Sequence, residues 1–262
     1  MLRAEGLRLA YPGRTLVEGL SIRFHPGEVW AVLGRNGSGK STLLHALAAL
    51  RIPQAGRVML DDRAAADEPR RALARQVGVL QQDESREFWG SVRDYVLLGR
   101  YPHARSPFGW STEDERIAQA EIEAMHLQGF GDRPFATLSG GERQRARAAA
   151  LFTQRPAVYL LDEPLQHLDL AHQVAVLERL SHEARERGAI VVMVLHDLLF
   201  ATRYCHRFLL LFGEGRHDMG STEDVLTGDN LRDLYGFALV SVEVNGERLF
   251  LPERQSGKGP HV

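Results

Sequence analysis

Short apolar runs alternate with amphipathic stretches along most of this chain. Runs of strand type occur at Leu2–Leu9, Ser21–Phe24, Val29–Leu33, Val58–Leu60 and Val77–Leu80, with turn residues between them. A helix is expected from Ser41 to about Leu50. From about Ser91 to Gln154 the strand signal disappears and helical patterns dominate. Ser91-Val92-Arg93-Asp94 and Ser111-Thr112-Glu113-Asp114 both read as capping boxes, and the Pro- and Gly-containing stretch Tyr101–Trp110 reads as the loop between two helices. Alternation then resumes: strand Val158–Leu161, helix Leu170–Arg187, strand Ile190–Leu195, helix Leu198–Tyr204, strand Phe208–Phe212. Strands that are apolar at every position and separated by helices predict a parallel sheet covered on both faces. Val240–Val244 and Arg248–Leu251, split by Asn245-Gly246, predict a hairpin, and Ser256–Val262 reads as a polar, disordered tail.

Composition narrows the class. A chain of 262 residues with 44% hydrophobic and 25% charged residues can bury a core without staples. Basic and acidic residues nearly cancel, 32 against 34, which argues against a general polyanion binder and so against nucleic acid as a partner. The single cysteine, Cys205, excludes an internal disulfide and a Cys-based zinc cage, and is expected as a small residue in a buried helix. It fits a reducing compartment. No apolar run approaches the ~18 residues of a membrane span, and the first five residues carry no apolar signal region, so a soluble, cytoplasmic chain is expected. Only two lysines occur, Lys40 and Lys258, so a lysine inside an ordered motif stands out.

That lysine closes Gly34-Arg35-Asn36-Gly37-Ser38-Gly39-Lys40-Ser41, which matches G-x-x-x-x-G-K-[ST] between an apolar strand and a helix, with Thr42 next in line. Glycines let successive backbone N–H groups turn toward one anion, and the helix N-terminus adds its dipole. Lys40 can reach the outer phosphates, and the Ser41 hydroxyl can ligate Mg²⁺. Val158-Tyr159-Leu160-Leu161-Asp162-Glu163 is an apolar strand ending in two acids. At the carboxyl end of a parallel strand they lie beside the phosphate loop. There Asp162 would hold Mg²⁺ and Glu163 would orient or activate the attacking water. Leu138-Ser139-Gly140-Gly141-Glu142-Arg143-Gln144 precedes a helix from about Glu142 to Gln154 and reads as a second anion-binding helix start, with Ser139 as N-cap. A chain that already has a phosphate loop has little use for another, so this one is expected to serve a second molecule's ATP.

These motifs resemble the ATP-binding subunit of ABC transporters over nearly the whole chain. Leu138–Gln144 is similar to that family's signature, the phosphate loop to its Walker A, and the carboxylate strand to its Walker B. Tyr11 is placed like the aromatic that stacks on adenine. Gln82 is similar to the Q-loop glutamine, Leu168-Asp169 to the D-loop, and His196 to the switch histidine. The resemblance implies one ABC ATPase unit over residues 1–255. It would have a core from about 1–85 and 155–240, an inserted helical part at about 86–154, an N-terminal antiparallel β part and a C-terminal hairpin at about 239–252. It also implies catalytic roles for Glu163, His196 and Gln82, ATP contacts from Tyr11, the phosphate loop, Asp162, Ser139, Gly140, Gly141 and Asp169, and Mg²⁺ ligation by Ser41, Gln82 and Asp162. In the family two such subunits pair head to tail, and the Q-loop region touches a membrane permease. Where the family usually has Thr or Ser after Glu-Pro, this chain has Leu165.

Val96–His103, Gln166–Gln173, Asp224–Thr227 and Leu234–Gly236 are similar to importer ATPases for iron–siderophore, haem and cobalamin uptake. Leu209–Gly213 and Leu249–Pro252 lean toward cobalamin-type members. The implied setting is the cytoplasmic face of the inner membrane, bound to permease subunits and served indirectly by a substrate-binding protein. The competing class is a soluble ABC ATPase, such as one for iron–sulfur cluster assembly. A P-loop kinase has no role for the signature, the translation-factor branch carries two motif sets, and DNA-repair relatives need a longer gap between Ser41 and Ser139.

Overall fold

A computed structural model describes residues 1–82, 88–104, 109–244 and 247–253. Antiparallel β1 (Leu2–Tyr11) and β2 (Arg14–Phe24) lead into β3 (Val29–Gly34), which feeds α1 (Lys40–Leu47). Two further strands, β4 (Ala55–Leu60) and the short β5 (Arg63–Ala64), and α2 (Arg70–Gln76) precede β6 (Val77–Leu80). The inserted helices are α3 (Val92–Leu97), α4 (Thr112–Ala124) and α5 (Gly140–Gln154). The chain then alternates through β7 (Val158–Asp162), α6 (Leu170–Arg187), β8 (Ile190–Val194), α7 (Leu198–Tyr204) and β9 (Arg207–Gly213). It closes with β10 (Arg216–Gly220), α8 (Thr222–Val225), α9 (Gly228–Tyr235), β11 (Leu239–Val244) and β12 (Glu247–Pro252).

A six-stranded sheet, in the order β10-β9-β3-β8-β7-β6, forms the centre. Neighbours from β9 to β6 pair in parallel, and only the edge strand β10 is antiparallel. Alternate residues of these strands enter two separate cores. Ala31, Leu33, Tyr159, Leu161, Val191 and Met193 face the inserted helices and α6. Trp30, Val32, Val158, Leu160, Val192 and Val194 face α1 and the second sheet. That is why β3, β7 and β8 are buried at every position. The second sheet is antiparallel, in the order β2-β1-β4-β5.

Capping boxes form at both expected serines: Ser91 and Ser111 each accept from the backbone N–H three residues on and receive a reciprocal carboxylate contact. The structure also departs from the sequence pattern. Leu98–His103, expected in part as loop, winds as a 3₁₀ helix with Pro102 inside it. Helix α1 ends at Leu47, short of Leu50, because Ala49 turns left-handed at φ 51°. The next two N–H groups, of Leu50 and Arg51, return to the His45 carbonyl. Cys205 lies one residue past α7 rather than within it, though it is buried as expected. The hairpin β11–β12 is present. Its Asn245-Gly246 turn, the Ser256–Val262 tail and Lys258 lie outside the described residues. Among the described residues no helix is long and apolar enough to cross a membrane.

Candidate active site

The ends of five strands, β1, β3, β6, β7 and β8, and the loop from β3 to α1 deliver the site. Gly34 ends β3, Lys40 begins α1, and between them Gly37 and Gly39 take φ 76° and 107°, which side chains resist. A Cβ on Gly39 would also meet the Leu16 Cβ at 2.9 Å. The Lys40 Nζ bends back over the loop and donates to the Gly34 carbonyl at 2.8 Å and the Arg35 carbonyl at 3.1 Å. Burial pulls its pKa down, while the Glu163 and Asp162 carboxylates pull it up.

Asp162 is the last residue of β7 and is 4% exposed. Burial holds its carboxyl above the ordinary range, against the lowering effect of a hydrogen bond from Ser41. Its Oδ1 has no protein partner and is fully buried. An orphaned carboxylate oxygen beside a serine hydroxyl is a hard-oxygen pair of the kind that suits Mg²⁺. Among the described residues no group of three His, Cys, Asp or Glu side chains could cage a metal, so such an ion would lean on nucleotide phosphates and water.

Glu163 follows at φ 51°, a conformation a non-glycine residue holds only under constraint. The His196 Nε2 meets its Oε1 at 2.7 Å, joining the end of β7 to the loop that follows β8. Tyr11, Lys40, Ser41, Gln82, Glu163 and His196 all line one open cavity of about 750 Å³. Gln82, not its neighbour Gln81, faces this cavity. Arg14 and Gln166 also line it. Arg14 carries no sequence signal, because arginine is abundant here, and Gln166 reads in the sequence only as the start of the importer-like Gln166–Gln173 stretch and not as a nucleotide contact.

The signature residues sit elsewhere. Ser139 caps α5 through a capping box with Glu142 and is exposed, as is Gly140. Neither they, nor Gly141, nor Asp169 line the cavity. A Cβ on Gly141 would lie 2.8 Å from the His167 carbonyl, so the loop after β7 packs directly on the start of α5. Asp169 caps α6, accepting from the His172 N–H at 3.0 Å. Gln144, buried on α5, donates to the Pro164 carbonyl at 2.9 Å, and Arg147 donates to the Gln81 carbonyl. The inserted helices are thereby tied to both loops that border the cavity. Leu165 packs its side chain against the core that faces the insertion.

A family model described as ABC transporter matches residues 17–166. The chain is 41% identical over 247 residues to the hemin import ATP-binding protein HmuV of Pseudomonas aeruginosa, covering 92% of this chain and 94% of that protein. It is 36% identical over 253 residues to the ferric enterobactin transport ATP-binding protein FepC of Escherichia coli, covering 96% and 93%. Among solved structures, an inward-facing putative metal-chelate type ABC transporter superposes with a TM-score of 0.81 at 29% identity, over 96% of this chain and 97% of that one. The phosphate loop, the strand-end acids and these matches over nearly the full length agree: the chain belongs to the ABC transporter family, as an ATP-binding subunit that hydrolyses ATP.

Proposed function

We propose that this chain powers uptake of a metal chelate, a haem or ferric siderophore, through a membrane permease, working as a head-to-tail pair. The observation that carries the reading is a division of the site. Tyr11, Lys40, Gln82, Glu163 and His196 converge on one cavity, while Ser139 and Gly140 are exposed outside it. In a head-to-tail pair the signature of one subunit covers the phosphates held by the other. The relatives' names support the cargo class, since they describe hemin and ferric enterobactin transport.

In this reading the N–H groups of Asn36–Ser41 and the Lys40 ammonium hold the β- and γ-phosphates. Ser41, Asp162 and Gln82 would hold Mg²⁺, which neutralises phosphate charge as it develops. Glu163 orients the attacking water and accepts its proton; His196 holds that carboxylate in place. Tyr11 stacks on the base. Asp169 and the signature residues Ser139, Gly140 and Gly141 complete the partner's site. The tie from α5 to Gln81 and Pro164 gives the inserted helices a path for motion toward a permease bound on the cytoplasmic side of the inner membrane, loaded by a substrate-binding protein.

The test is co-expression with a candidate multi-span permease. Co-purification and chelate-dependent ATP hydrolysis in liposomes are expected. Full turnover with no membrane partner would favour the soluble ATPase class instead.

A further inference from the structure

Tyr11 stands at the very end of β1 with its side chain half exposed, where a free tyrosine would sample several rotamers. It does not stand alone. The left-handed turn at Ala49 ends α1 early and brings Arg51 back beneath it. The Arg51 guanidinium lies over the Tyr11 ring at 4.3 Å from its centre. Its Nη1 donates to the Tyr11 hydroxyl at 2.7 Å, and its Nη2 donates to the Ala10 carbonyl at 3.1 Å. Gln54 clasps the same residue from both sides: its Oε1 accepts from the Ala10 N–H at 2.9 Å, and its Nε2 donates to the Ala10 carbonyl at 3.0 Å. Tyr11 lines the nucleotide cavity, whereas Arg51 and Gln54 do not. The guanidinium therefore backs the ring from outside the cavity.

Resting on the reading of Tyr11 as the base platform, we infer that Arg51 is a positioning residue for nucleotide selection. It locks the ring with one face toward the cavity and leaves that face free for a planar base. A ring already held in place loses less conformational freedom when the base binds. Arg51 meets the Tyr11 hydroxyl, the Ala10 carbonyl and, through its backbone N–H, the His45 carbonyl. The Tyr11 hydroxyl also meets Thr42, just after the phosphate loop. The effect of Arg51 is expected on base binding and not on the chemical step, and a base-free competitor separates the two.

The experiment measures steady-state ATP hydrolysis by the full chain, together with competitive inhibition by inorganic tripolyphosphate, which has no base. For Arg51→Ala the KM for ATP should rise about three-fold, in the range of one exposed cation–π contact, with kcat unchanged and tripolyphosphate inhibition unchanged. Arg51→Lys keeps a cation over the ring but cannot span both acceptors, so it should recover part of the loss. In a Tyr11→Ala background, Arg51→Ala should add nothing. An unchanged KM in Arg51→Ala, with a raised KM in Tyr11→Ala, would overturn the inference and leave the platform reading intact. Equal weakening of ATP and tripolyphosphate would also overturn it, because the effect would then be on the phosphate loop. Unchanged KM in both single variants would remove the platform and the inference together.

Discussion

Glu163 and His196 are 33 residues apart in sequence and 2.7 Å apart in space, carboxylate to imidazole, at the cavity that holds the phosphate loop. The pair joins the ends of two adjacent parallel strands, so any shift of β8 against β7 moves the Glu163 carboxylate. Glu163→Gln keeps the side chain's size but removes both charge and basicity. Hydrolysis should fall by about 10²-fold or more, in the range of a general base, while MgATP affinity holds through Lys40, Ser41 and Asp162. Slow turnover should trap an ATP-bound pair, visible as a mass shift in size-exclusion chromatography with MgATP. Wild-type turnover would remove Glu163 from the chemistry.

Lys40→Ala removes the cation that now rests on the Gly34 and Arg35 carbonyls. Those two carbonyls would face the anion with nothing between them. Nucleotide binding should weaken and hydrolysis drop by about 10²-fold or more, as for loss of a preorganised charge at a transferring phosphoryl group. Isothermal titration and a phosphate-release assay check the two parts separately.

Ser139→Asp tests the proposed role of Ser139 at a partner's site apart from its capping of α5. Aspartate is as good an N-cap as serine, so α5 should stay intact, whereas Ser139→Ala alone costs about 1 kcal/mol of helix stability. A carboxylate facing the partner's phosphates should nonetheless block pairing and hydrolysis, with ATP binding to the single subunit unchanged. If Ser139→Asp abolishes ATP binding to the monomer, the head-to-tail arrangement fails.

Asp162 gives a pH signature. Burial raises its carboxyl above the ordinary value of 3.8, so the folded chain binds this proton more tightly than the unfolded chain. Its contribution to stability is therefore greatest at low pH and is lost as pH rises through 3.8 toward the raised value. Above that raised value the nucleotide-free protein holds an unfavourable buried charge. Asp162→Asn should raise the melting temperature without nucleotide, by about 2 °C or more for each 1 kcal/mol relieved. The extra stabilisation given by MgATP over ATP with EDTA should disappear in the variant. A lower melting temperature in Asp162→Asn would mean the carboxylate is favourably paired in the empty site.

The six-stranded sheet and the sequence patterns describe the same architecture, and its legibility has local causes. Gly34–Ser41, the acids after Val158–Leu161 and the serine caps at 91, 111 and 139 are set by backbone and capping chemistry confined to a few consecutive residues, so the sequence determined them. The fully apolar strands likewise announced a sheet with two covered faces. Tertiary packing alone decided which distant residues share the cavity. The order β3-β8-β7-β6 brings residues near 34, 196, 162 and 82 side by side, and no local pattern encodes that adjacency. It also decided that Gln82 and not Gln81 lines the cavity, while the backbone carbonyl of Gln81 accepts from Arg147 on α5. Arg14 and Arg51 stayed hidden for the same reason: one arginine among many carries no signal until the fold places it against a glycine loop or a tyrosine ring.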